Sequence, residues 1–353
     1  MRKLLVAALV LTIPVIAIFI LSQKQTILSP LSPAAQDIST PAPKPLLAYA
    51  FDNLKKTTFP QSQITLGDSV STDVDSSSQM FYFSVPKTPN EPTTEKVSGL
   101  INLPVKPGIY PVIVMFRGFV PKETYQPGIG TEPSAKVFAQ NGFITIAPDF
   151  LGYGQSEASS PNGFEDRFQT TTTAVTLLSS LNSLNAGLEA SYSGKIKADL
   201  TKVGIWGHSN GGQIALSALE ISGVTYPTVL WAPVSKSFPY SILYYTDETD
   251  DQGMALRKAL ANFEDDYNTE LFSLPNYFGW IKAPIEIHQG TGDQEVPVWW
   301  SDDLVATLKK NNLDVTYFTY PGADHNLLPN AWQTAVARSM IFFNQNFATA
   351  IKK

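Results

Sequence analysis

From residue 112 onward, short uninterrupted apolar runs recur at 112–116, 144–147, 203–206, 228–231, 285–288 and 315–320. Runs of this length without polar alternation mark strands buried on both faces, as in parallel sheets. Stretches with helical spacing separate most of them, at 134–140, 167–184, 211–222, 298–310 and 331–347. The alternation predicts an α/β protein with a mostly parallel, doubly wound sheet. Residues 46–100 differ: segments such as Met80-Phe81-Tyr82-Phe83-Ser84-Val85 alternate with Asp, Ser and Pro clusters, which predicts a few antiparallel strands. The segment 235–280 interrupts the rhythm and carries Tyr240, Tyr244, Tyr245, Phe263, Tyr267, Phe272, Tyr277 and Phe278, the pattern of a small helical cap insertion. No internal repeat of the kind a β-propeller needs is present.

The amino terminus has a different character. Arg2 and Lys3 precede an 18-residue apolar run, Leu4 to Leu21, interrupted by Thr12 and Pro14. That exceeds the ~7–15 residues of a cleavable signal core and approaches the ~20 that span a bilayer. Residues 1–21 are therefore expected to be a signal anchor, or a signal peptide cut near Ile20-Leu21-Ser22. Residues 22–45 contain Pro30, Pro33, Pro41, Pro43 and Pro45 among Ser, Ala and Gln, a linker composition that cannot bury a core. The expected organisation is an exported domain at 46–353, tethered to the membrane through the amino-terminal helix or secreted after cleavage.

Composition narrows the chemistry. The formal net charge is −6 with no basic cluster, which argues against a nucleic-acid partner. There is no cysteine, so thiolate ligands, thiol nucleophiles and disulfides are excluded. The three histidines, His208, His288 and His325, lack the spacing of a zinc helix, and no nucleotide loop or cofactor fingerprint occurs, so neither a metal nor a cofactor is expected.

One motif carries chemistry. Gly207-His208-Ser209-Asn210-Gly211 is a G-x-S-x-G pentapeptide set between an apolar strand and an amphipathic helix. Such a turn strains the serine backbone and lifts its hydroxyl above the sheet, while the helix amino terminus faces developing negative charge. Ser209 is the candidate nucleophile and the Asn210 amide a candidate oxyanion donor; His208 is read as packing. A serine needs a base and a carboxylate to orient that base. Asp293 follows the strand at 285–288 in a glycine-rich loop and His325 follows the strand at 315–320. Both stand past the carboxyl ends of strands, where α/β sheets build sites. Glu286, Glu295 and Asp324 are the rival carboxylates, and His288 the rival base. The Phe119 amide, after the strand at 112–116, is the second candidate oxyanion donor. Arg117 beside it reads as pairing with a nearby acid, with capture of a substrate carboxylate as the alternative.

With these residues assembled, the stretch from Val97 to Phe347 resembles the prolyl oligopeptidase family of serine peptidases, within the α/β-hydrolases. The likeness is concentrated in GHSNGGQIAL, in APVS, in IEIHQGTGDQEVPVWWS and in YPGADHNL, and the loop Pro148 to Ser156 is similar to one that many α/β-hydrolases carry before the elbow. It implies the α/β-hydrolase fold, triad roles for Ser209, Asp293 and His325, and hydrolysis through an acyl-enzyme. Two features depart from the family pattern: the residues before Val97 are too few for a propeller, and Arg117 replaces the usual histidine before the oxyanion-loop glycine. The expected substrate is a small peptide. A carboxylesterase acting on acyl or acetyl esters is the second expectation, and a catalytically silent surface binding protein the third. The acidic cap is read as a solvated face, with attraction of a substrate amine as the alternative.

Overall fold

The protein is described by a computed structural model that covers residues 43–246 and 249–350. The expected anchor at 1–21 and all but the end of the linker lie outside the described residues. Among the described residues no helix is long and apolar enough to cross a membrane. Residues Lys44–Lys353 form one compact unit.

Nine strands make one sheet: β1 (Thr65–Thr72), β2 (Ser76–Pro86), β3 (Thr94–Pro104), β4 (Gly108–Phe116), β5 (Ile144–Pro148), β6 (Ile196–His208), β7 (Thr228–Trp231), β8 (Ile285–Gly290) and β9 (Val315–Tyr320). Their spatial order is β1-β2-β3-β5-β4-β6-β7-β8-β9. The first three pair antiparallel, β3 pairs antiparallel with β5, and every pair from β5-β4 to β8-β9 is parallel. After β5 the chain crosses β4 to reach β6, so the winding reverses there, and clefts open at such a reversal.

The longer helices are α1 (Glu132–Gln140), α2 (Gly163–Ser180), α3 (Leu184–Tyr192), α4 (Asn210–Ser222), α5 (Met254–Asp266), α6 (Val298–Lys310) and α7 (Trp332–Ala350). Strand side chains alternate between faces, and β4 shows the result. Val112, Val114 and Phe116 join one core with Leu178, Leu188, Leu216 and Leu304. Ile113 and Met115 join another with Phe138, Phe343 and Phe347. Thus α2, α3, α4 and α6 cover one face, and α1 and α7 the other. Both cores lie against the strands that end at the candidate site.

Among the described residues the cap at 235–280 is helical, with a short helix at Tyr240–Leu243, α5, and 3-10 segments at Thr269–Phe272 and Leu274–Trp280. Its aromatics form a satellite core in which Phe238, Phe263 and Phe272 pack with Leu46 and Tyr49. One helix was not legible in the apolar pattern: the expected helix 167–184 ends at Ser180, and α3 follows a 3-10 turn. Asn182, Ser183 and Asn185 interrupt the periodicity, yet Leu181, Leu184 and Leu188 still line a buried face.

Candidate active site

Ser209 caps α4 directly after β6, at φ 56° and ψ −122°. A left-handed φ at a non-glycine residue costs about 1–3 kcal/mol and persists only where surrounding bonds dictate it. Three do so: Ser209 N donates to Trp231 O (2.9 Å), while Gly212 N (2.9 Å) and Val234 N (3.0 Å) donate to Ser209 O. The turn also requires glycine at 211, because a Cβ there would lie 2.0 Å from the Phe116 carbonyl oxygen. The first N–H groups of α4, that of Asn210 included, have no partner within the helix.

The loop after β4 closes on the serine from the other side. A Cβ at Gly118 would stand 3.0 Å from Ser209 Cβ and 3.6 Å from its Oγ, so this loop lies against the hydroxyl. Phe119 N–H donates to nothing else among the described residues, and its side chain is exposed. Arg117, 6% exposed, fixes the loop: Nη1 donates to Gly118 O and Nη2 to Asp149 O, each at 3.0 Å. Gly118 C=O and Phe119 N–H belong to one planar peptide unit and point in opposite directions. The Arg117 bond therefore sets where the Phe119 N–H aims. The guanidinium also stacks over the rings of Tyr153 (4.1 Å) and Tyr125 (4.6 Å). It makes no ion pair with a carboxylate among the described residues, so the acid partner expected from the sequence is replaced by backbone carbonyls and aromatic faces. Beneath it Asp149 accepts from Ser98 and Tyr125, and burial pushes its carboxyl above the ordinary range.

Asp293 and His325 meet. His325 Nδ1 lies 2.9 Å from Asp293 Oδ2 and 3.1 Å from Oδ1, which fixes Nδ1 as the protonated nitrogen and turns Nε2 outward as an acceptor. The Asp293 carboxylate also accepts from Glu295 N, Val296 N and Gln289 Nε2, each at 2.9 Å, and its side chain is wholly buried. The rival carboxylates are occupied elsewhere or face solvent. Asp324 ties its own loop by accepting from Asn326 N and Leu328 N, the exposed Glu295 contributes only its N–H, and Glu286 pairs with His288 Nε2 at 2.9 Å. His288 is fully buried on the α7 side of the sheet, where its Nδ1 accepts from Tyr320 OH at 2.8 Å and burial lowers its pKa.

Ser209 Oγ makes no hydrogen bond among the described residues. In free enzymes the serine–histidine bond is often long and tightens with substrate. What joins the elbow to the His325 loop is His208, read from sequence as packing. Its ring lies 4.7 Å from that of His325, and its Nε2–H donates to His325 O at 3.0 Å. Burial, reinforced by neighbouring His325, lowers the His208 pKa to about 4, so it stays neutral and keeps one tautomer. A small cavity of about 60 Å³ beside the serine is lined by Arg117, Phe119, Leu151, Thr170, Asn210 and Ile214.

A mostly parallel sheet with a strained serine at a strand-to-helix elbow, and an aspartate–histidine pair on following loops, defines an α/β-hydrolase, and the protein is a serine hydrolase. Residues 131–350 match the model of the prolyl oligopeptidase family, and the chain belongs to that family. No curated protein matches the sequence. Similar solved structures include an acetyl xylan esterase from Paenibacillus sp. R4, with 16% identity, TM-score 0.55, and coverage of 86% of this chain and 95% of that one. A rice cell wall degrading esterase from Xanthomonas oryzae has 12% identity and TM-score 0.56, covering 82% and 98%. A Pyrococcus horikoshii acylaminoacyl peptidase has 15% identity and TM-score 0.51, covering 81% of this chain and 50% of the peptidase. At these identities the likeness is one of fold.

Proposed function

We propose that the protein hydrolyses amide bonds of small peptides through an acyl-enzyme on Ser209. The observation that carries this is the buried Asp293 holding His325 Nδ1, with Nε2 free, at the strand ends that also present Ser209. His325 Nε2 accepts the Ser209 proton as Oγ attacks the carbonyl carbon, and Asp293 stabilises the imidazolium. The Asn210 and Phe119 N–H groups receive the oxyanion. His325 then protonates the departing amine, and water, activated by the same imidazole, releases the acid. Family membership supports amide cleavage.

A second reading, hydrolysis of short acyl esters, is favoured by the cavity at the serine. About 60 Å³ is well under the ~150 Å³ that holds a benzene ring, and suits an acetyl-sized group. Peptidyl 4-nitroanilides tested beside 4-nitrophenyl esters of increasing chain length, with Ser209→Ala as control, separate the two. Amide turnover lost in the variant supports the peptidase; ester turnover alone favours the second reading. No reaction of Ser209 with a fluorophosphonate would leave a silent binding protein. The apolar run at 4–21 supports export, with a retained anchor holding the catalytic unit outside the cytoplasm. Protease accessibility in intact cells tests that placement.

A further inference from the structure

We propose that Arg167 is an anion subsite that binds a carboxylate carried by the substrate, on the cap side of the nucleophile. Arg167 lies in the second turn of α2, whose start is fixed by Asn162 Oδ1 accepting from Phe164 N and Glu165 N. It lines a cavity of about 630 Å³ together with Leu46, Phe164, Ile242, Phe263 and Tyr267. The only hydrogen-bond partner of its guanidinium among the described residues is the Gln213 side-chain carbonyl, at 2.8 Å from Nη2, and it has no ion pair there. A guanidinium offers five donors in a planar fork that matches a carboxylate two bonds at a time.

The charge is half-buried, and among the described residues no carboxylate pairs with it. Burial lowers the pKa to about 10, which leaves Arg167 charged at neutral pH. With the Gln213 amide taking one of its five N–H donors and Tyr245 nearby, the half-buried guanidinium keeps donors to offer an anion. Arg117, the other arginine near the serine, donates to two carbonyls and sits on aromatic faces, so its charge is structurally used. Among the described residues no carboxylate takes that place beside Arg167, and the space next to it is a cavity with mostly apolar walls.

Position links this cavity to the chemistry, and in that respect the inference rests on the reading of Ser209 given above. Gln213 stands four residues after Ser209, about 6 Å along the α4 axis. The proposal requires a substrate that extends from the scissile carbonyl at Ser209 past the first turn of α4 to bring a carboxylate to Arg167. The carboxylate has two sources: the acyl side, as an acidic side chain or diacid, or the leaving-group side, as the carboxyl terminus of a short peptide. Asp266, exposed and also lining the cavity, opposes an anion, so binding depends on Arg167 rather than on the general charge of the cap.

Three esters distinguish these sources: 4-nitrophenyl acetate is neutral, mono-4-nitrophenyl glutarate is charged on the acyl side, and 4-acetoxybenzoate on the leaving group. The ratio of kcat/KM for an anionic ester to that for the neutral one is expected to fall about 10- to 100-fold in Arg167→Gln, with partial recovery in Arg167→Lys. Unchanged ratios for both anionic esters overturn the proposal. Should no ester be turned over, calorimetry of glutarate with Ser209→Ala decides separately. Binding that disappears in Ser209→Ala/Arg167→Gln keeps the subsite while the hydrolase reading fails; no binding in either protein sinks the subsite. If the Arg167 variants do not fold, wild-type inhibition by glutarate against uncharged glutaramide replaces them, and equal inhibition overturns the proposal.

Discussion

Replacing Arg117 with methionine isolates the contribution of one peptide unit to turnover. In the folded protein the guanidinium donates to Gly118 O and Asp149 O, both at 3.0 Å, and covers the faces of Tyr125 and Tyr153. Methionine preserves much of the packing and leaves two buried carbonyls unpaired. At about 1–3 kcal/mol each, partly offset by no longer burying a cation, the net destabilisation is about 2–4 kcal/mol. The effect on chemistry is separate. Deleting one oxyanion donor outright lowers kcat by about 10²–10³. Here the Phe119 N–H is retained but its peptide plane is released, so kcat is expected to fall about 10- to 100-fold with KM little changed. Active-site titration with a fluorophosphonate counts folded, reactive sites and removes the stability effect from the rate. A boronic acid that occupies the oxyanion site should lose affinity in step with kcat. Arg117→Lys keeps the charge, reaches one carbonyl instead of two, and should fall between. A kcat per titrated site within twofold of wild type in folded Arg117→Met would refute the assignment of Arg117 to positioning the oxyanion peptide.

Further outcomes follow from other contacts. Asp293→Asn presents an amide N–H where His325 Nδ1 needs an acceptor, so kcat per folded molecule should drop by about 10⁴, as read by steady-state kinetics beside calorimetry. Gly118→Ala places a Cβ 3.0 Å from Ser209 Cβ, and should slow fluorophosphonate labelling without unfolding the chain. His208 is neutral in the fold because its pKa is lowered from 6.5 to about 4, so the unfolded chain binds the proton first as pH falls. Its stabilisation is complete above pH 6.5 and is lost as pH falls toward 4, by at most ~3 kcal/mol. Urea denaturation across that range should show a shallower loss in His208→Gln. Glu220 has the opposite sign. It is buried with neither oxygen hydrogen-bonded, and burial raises its pKa well above the ordinary value. The folded state therefore holds an extra proton, and stability declines as pH rises through and beyond pH 4.5. Glu220→Gln should gain about 1–3 kcal/mol at pH 8 and nothing at pH 4, in paired melts.

The candidate site residues could be picked out from the sequence because each sits where a strand pattern stops. Continuous apolar runs located β4, β6, β8 and β9, and the residues just past them include Phe119, Ser209, Asp293 and His325. The contacts among side chains were not legible. Arg117 reads as an ion-pair former by charge alone, yet its partners are carbonyls and ring faces, which leave no trace in a linear pattern. His208 was hidden for a related reason: a histidine beside a nucleophile has no periodicity, and its partner is a backbone oxygen 117 residues away. Arg167 falls within a stretch read simply as helix, and its lack of a carboxylate partner among the described residues depends on how α2 and α4 pack.

These contacts also explain how a site assembled from four distant loops stays aligned. Around the strand ends each element is bonded to its neighbour: Ser209 N to Trp231 O, Ala232 N to His288 O, and Gly292 N to Ala323 O. That series follows the sheet order β6-β7-β8-β9, so the serine loop and the histidine loop stand three strands apart along it. A chain of such bonds accumulates small errors at every step, and a catalytic arrangement loosened by 1 Å loses rate about 10²-fold. His208 removes the accumulation by bonding the first loop directly to the last, through its Nε2–H and the carbonyl of His325. The strained serine and the oriented imidazole are thus held both along the sheet and across it.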